Sequence, residues 1–144
     1  MRARHRFCLG SSLLQAAQDI YVTSITGTGE TRGSAVLVAE LADPNANDAA
    51  ASVRTDGREI LFGSTRAGAG GLDLWISTRR SVHDAWSPPE NLVLLNSAAN
   101  DQQPSLSSDG RTLLLASDRS GSFGGTDIGS RPAHRISDGS ALKP

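Results

Sequence analysis

The sequence predicts an all-β protein assembled from four-stranded antiparallel sheets, and three observations predict it. A unit of about fifty-three residues repeats along the chain. An Asp-Gly dipeptide recurs at the same place in two copies, and helix signals are nearly absent. The repeat is read by direct comparison: DAAASVRTDGREILFGSTRAG from Asp48 aligns with DQQPSLSSDGRTLLLASDRSG from Asp101.

The elements follow in order. Residues 1–18 form a poorly patterned N-terminal segment. Arg2, Arg4 and Arg6 precede a weakly apolar stretch, Phe7 to Ala17, but Ser11, Ser12 and Gln15 interrupt it and no A-x-A cleavage site follows. The expectation is an irregular start to the fold rather than a working signal peptide. Residues 11–18 are the one passable helix, outside the repeat. Residues 19–47 read as the latter half of a unit, because Asp19-Ile20-Tyr21-Val22-Thr23 matches Asp73-Leu74-Trp75-Ile76-Ser77. Gly27 to Gly33 superficially suggests a dinucleotide loop, but it is one residue too long and no helix pattern follows, so a hairpin loop is expected.

Residues 48–95 make one full unit. Asp56-Gly57 predicts a tight turn, since glycine takes a positive φ without steric cost. Ile60-Leu61-Phe62 then runs apolar without alternation, which implies burial on both faces. A glycine-rich loop containing Gly70 and Gly71 leads to a third strand, Asp73 to Thr78, that carries Trp75. Trp86 to Leu95 is expected as the fourth, its prolines suiting an edge. Residues 100–131 repeat most of this, with Asp109-Gly110 as the turn, Leu113-Leu114-Leu115 as the apolar run, and Gly124-Gly125 before Asp127. Gly129 stands where Tyr21 and Trp75 predict an aromatic, and residues 132–144 read as an irregular tail.

Four-stranded units with turn chemistry at fixed offsets argue for radially arranged β-propeller blades. Closed propellers have typically four to eight blades, so 144 residues hold an incomplete ring of about two to three. An open arc leaves unpaired strand edges, which favours self-association. Either several copies complete a ring or the chain is a piece of a longer propeller, and the loss of pattern at both ends favours the piece.

Composition excludes several classes. A net charge of −1 gives no electrostatic reason for a nucleic-acid partner, and no apolar run is long enough to span a bilayer as a helix. Cys8 is the only cysteine, so no internal disulfide forms. His5, His83 and His134 are far apart, and Ser122 in GSFGG is not a nucleophile elbow. A catalytic, cofactor or zinc site is therefore not expected. The recurring aspartates are the one constellation to weigh. Asp73 and Asp127 can donate oxygens to Ca²⁺, but every copy carries such residues, so locked loops are the preferred reading. Arg66 and Arg119 recur too, and are expected to bridge to these recurring aspartates (Asp48, Asp56, Asp73, Asp101, Asp109 and Asp127) within or between units.

Asn47-Asp48, the Asp-Gly turn, the S-x-R-x-G loop, Gly-Gly-x-Asp-(Leu/Ile)-Trp, then Trp-Ser-x-Pro-x-Asn-Leu and Asn96-Ser97 together resemble the WD40-like repeat called PD40. That repeat is found in TolB-type periplasmic propellers and in bacterial envelope proteins with OmpA-like domains. The resemblance covers roughly residues 19–128. It implies a non-enzymatic propeller that presents a protein-binding or scaffolding surface in the periplasm or cell envelope. The same repeat also occurs in propellers joined to serine peptidases, so the propeller portion of a larger hydrolase is the alternative. A degenerate gene fragment without independent function is a further one.

Overall fold

The computed structural model describes residues 4–11, 18–26, 28, 30–121 and 124–132. Among them every regular element is a strand, and all pairing is antiparallel. Strands β1 (Arg4–Ser11), β2 (Gln18–Ile25) and β3 (Thr31–Leu37) form an N-terminal sheet in the order β1-β2-β3. Strands β4 (Asp48–Val53), β5 (Glu59–Ser64), β6 (Asp73–Thr78) and β7 (Glu90–Asn91) form a central sheet in chain order. Strands β8 (Asp101–Leu106), β9 (Thr112–Ser117) and β10 (Asp127–Pro132) form a C-terminal sheet, and none of the three sheets closes on itself.

The turns are those that local chemistry demands. Gly57 and Gly110 take φ of 71° and 68°, and each donates its N–H three residues back, to Arg54 and Ser107. The loop between β2 and β3 is a hairpin closed by Thr26 N–H donating to Glu30 O at 2.8 Å, as the sequence predicted. A second backbone feature repeats without any glycine. Ala50 and Gln103 both have φ of 52°, where β4 and β8 shift register against their neighbours. Each is the extra residue of a β-bulge, and each holds a left-handed conformation that costs a non-glycine residue about 1–2 kcal/mol.

Two apolar layers hold the sheets face to face. Ile20, Val38 and Leu41 pack against Ile60, Phe62 and Trp86 between the N-terminal and central sheets. Leu61, Leu74, Ile76 and Leu95 pack against Leu113 and Leu115 between the central and C-terminal sheets. Strand β5 therefore sends alternate side chains into both layers, and all six of its residues are buried. Each fully buried apolar side chain of this size contributes roughly 1.5–3 kcal/mol.

Four expectations need correction. Leu114 was expected to be buried like Leu113 and Leu115, but it is 43% exposed, because no sheet among the described residues covers that face of the C-terminal sheet. The fourth strand was expected over Trp86 to Leu95. Only Glu90–Asn91 pairs, since Pro88 and Pro89 lack the N–H a ladder needs. Only the central sheet has four strands among the described residues. The segment 1–18, read as lying outside the repeat, supplies β1, which pairs with β2 along its length and takes the place that β5 has beside β6. Of the proposed helix over 11–18, Ser11 and Gln18 are strand ends and the rest lies outside the described residues. Pro132 ends β10, and the remainder of the proposed tail lies outside them too.

Candidate functional site

Asp48, Arg66, Asp73, Asp101 and Arg119 gather at one end of the sheets, as fastenings, while Asp56-Gly57 and Asp109-Gly110 turn the chain at the other. Asp48, wholly buried, accepts from the Ser64 hydroxyl at 2.6 Å and from Arg66 Nη2 at 2.8 Å. Arg66 Nη2 also donates to Leu41 O in the link from the preceding sheet, and its guanidinium lies over the rings of Phe62 and Trp75 at 5.2 and 5.6 Å. One sheet later, Asp101 accepts from Arg119 Nη2 at 2.5 Å, and Arg119 Nη2 donates to Leu95 O at 3.0 Å. The expected bridges between arginines and aspartates are these.

Asparagine completes the fastening, a role the sequence reading did not assign. Asn47 Oδ1 accepts from Gln18 N–H at 2.9 Å, and Asn100 Oδ1 accepts from Leu72 N–H at 3.1 Å. Asn96 grips both backbone groups of Leu74, accepting at 2.8 Å and donating at 3.0 Å. The signal available was the recurrence of Asn before Asp at 47–48 and 100–101.

Asp73 is spent on its own loop. It accepts from Ala69 N–H at 2.5 Å, Gly70 N–H at 3.2 Å and Asn91 Nδ2 at 3.3 Å. A Cβ at Gly70 would collide with the Ala99 carbonyl, and one at Gly71 would lie 2.6 Å from Asn100 Oδ1. These glycines let the loop lie against the link to the next sheet. Asp127 opens β10 opposite Ser117, and a Cβ at Gly124 or Gly125 would meet nothing within 4 Å. Among the described residues no three His, Cys, Asp or Glu side chains cluster to hold a metal ion.

The opposite end carries the candidate binding site, a groove of about 840 Å³. Its floor and walls come from the β4–β5 turn and the loop after β6, chiefly Arg54, Arg58, Glu59, Arg79, Arg80 and Trp86. Arg79 is fixed twice. Its Nε donates to Gly57 O at 2.7 Å, and its guanidinium stacks 4.1 Å from the Trp86 ring centroid. Burial pushes the Arg79 pKa down, against the pull of Glu40 and Asp84. Asp56 receives Arg54 Nε and Nη2 at 2.9 and 2.8 Å, and this pairing, with help from Arg58, holds its carboxyl well below the usual range. Glu59 faces Arg54 at 3.3 Å and its pKa is raised by burial. Arg80 stands almost fully in solvent, 4.0 Å from Asp84. A smaller hollow of about 210 Å³, lined by Val22, Val38 and Val82, shares Arg79 and Trp86 with the groove. Such a surface offers fixed guanidinium donors beside an aromatic face.

Trp86 was singled out in the sequence as a strand residue; it instead roofs a core layer and backs the groove. His83, in the loop after β6, is exposed, and His134 and Ser122 lie outside the described residues. No helix among the described residues is long and apolar enough to cross a membrane. A scan against protein-family models returns no match, and a search of curated proteins returns none.

Proposed function

We propose that the chain is an arc of a PD40-type β-propeller, without catalytic activity of its own, that binds a segment of another protein in the arginine-lined groove. The observation that carries the propeller reading is the recurrence of the same fastening. Arg66 reaches Leu41 O and Arg119 reaches Leu95 O, so each sheet is tied to its predecessor through equivalent atoms. Radially stacked blades need such a sheet-to-sheet joint at every step.

The binding reading rests on the groove. Its volume suits a short peptide, and Arg58 and Arg80 turn charge toward solvent while Arg79 and Trp86 form a rigid backing. Carboxylate-bearing segments match planar guanidinium donors. Its carboxylates, Glu59 and Asp84, each face an arginine, an arrangement suited to recognition more than to proton transfer. A periplasmic or envelope setting follows from the PD40 resemblance as part of the same proposal.

The test is selection of peptides from a displayed random library on the immobilised chain. Acidic sequences are expected to be enriched, and to be lost on the Arg58→Glu/Arg80→Glu variant, whose substituted side chains are 52% and 96% exposed and leave the core untouched. Enrichment that is unselective, or indifferent to that variant, overturns the groove reading.

A further inference from the structure

We propose that the outer face of the C-terminal sheet is a docking surface for the N-terminal sheet of a second copy of this chain. The repeat itself says what covers that face. In the central sheet, Leu61 and Leu74 lie on the side turned toward the C-terminal sheet, and both are wholly buried. Their counterparts about fifty-three residues on are Leu114 and Ile128, which are 43% and 79% exposed. Pairing keeps the comparison strict. Gly63 opposes Leu74 and Leu61 opposes Ile76, just as Ala116 opposes Ile128 and Leu114 opposes Ser130. The same residues in the same register are thus covered by a repeat sheet in one place and bare in the other.

The loop tells the same story. Gly71 lies tight against Asn100 in the link to the next sheet, whereas a Cβ at its counterpart Gly125 would meet nothing within 4 Å. The glycine there leaves room for a neighbouring link like that of residues 97–100.

What seats on this face is a sheet turned the way the C-terminal sheet faces the central one. In the N-terminal sheet the corresponding side is the one away from the central sheet. Tyr21 lies on it, alternating with Ile20 and Val22, which pack inward. Leu37 opposes Tyr21 across β2 and β3, shares that side, and is 39% exposed. Leu114 and Ile128 of one copy therefore meet Tyr21 and Leu37 of another. The contact is head-to-tail, and two copies of three sheets each make six, within the range of closed propellers. The inference rests on the propeller reading in taking each sheet to be covered on both faces; it does not involve the groove, which lies at the end of the sheets.

The experiment is sedimentation velocity on the whole chain over a hundredfold range of concentration. A dimer or longer head-to-tail oligomer is expected, with association weakened at least tenfold by Ile128→Asp and by Tyr21→Arg. Val93→Asp, at an apolar residue 69% exposed elsewhere, is expected to leave association unchanged. Mixing the Ile128→Asp and Tyr21→Arg chains leaves one intact joint and restores dimers. Circular dichroism confirms that each variant keeps its strand content. A monomer at every concentration, or association that Ile128→Asp does not weaken, overturns the docking proposal and leaves peptide selection by the groove as a separate question.

Discussion

Asp48 and Asp101 hold the same position in two sheets, yet their carboxyls are driven in opposite directions. Burial raises the Asp48 pKa above the ordinary 3.8, and Ser64 and Arg66 offset only part of this. Burial also pushes Asp101 up, but hydrogen bonds from Ser117, Arg119 and Ser97 outweigh it and hold the group below 3.8. The difference includes the Ser97 amide and hydroxyl, which donate to Asp101 at 2.5 and 2.8 Å. Linkage then fixes the sign for each. A depressed carboxyl contributes stability that is present above its unfolded pKa and lost as pH falls through its folded value. A raised one contributes most at low pH, and that contribution is lost as pH rises through its folded value. Wild type is therefore expected to lose its advantage over Asp101→Asn as pH drops below about 4, and to gain on Asp48→Asn at higher pH, as pH falls through the raised folded value toward about 4. Urea midpoints from pH 2.5 to 6 check this; parallel curves for the two variants would sink it.

At the scale of the element, the glycine loops show what the repeat does and does not determine. Gly70→Ala pushes a methyl into the Ala99 carbonyl and is expected to cost roughly 1–3 kcal/mol, whereas Gly125→Ala, which meets open space, stays within about 0.5 kcal/mol. Thermal melts of the pair as dissociated chains decide it, and equal losses would mean that the loop conformation, not its neighbour, requires glycine. The same contrast explains what was legible in the sequence. Asp56-Gly57 and the strand Asp73–Thr78 could be read because their demands are local: a positive φ, and a run between loops. Leu114 could not, because its burial depends on a neighbouring sheet that its own triplet does not encode. Strand β1 escaped notice because it carries no Asp-Gly turn and opens with Arg4, His5 and Arg6. The groove was missed for a related reason. Arg79 and Arg80 sit in a loop absent from the visible pattern of the other copies, and Trp86 earns its place by stacking, which has no period.

The described residues form a stack of three sheets in which, among them, only the central sheet is covered on both sides. Strands β5 and β6 contribute to both apolar layers, while β9 buries one side and leaves Leu114 exposed on the other. Amide hydrogen exchange of the dissociated chain is expected to be slowest in β5 and β6 and faster in β9 and β10, by at least tenfold; uniform protection across the sheets would contradict this account. The fastenings add a direction to the stack. Arg66 reaches back to Leu41 and Arg119 reaches back to Leu95, so these guanidinium clamps are carried by the later sheet and close on backbone already laid down, while Thr55 and Ser52 of the central sheet reach forward to Ser108 O and Leu106 N–H. During synthesis, then, each newly emerged sheet finds a finished template and brings its own latch. For the two arginine latches, docking in chain order is the direction that the bonding favours.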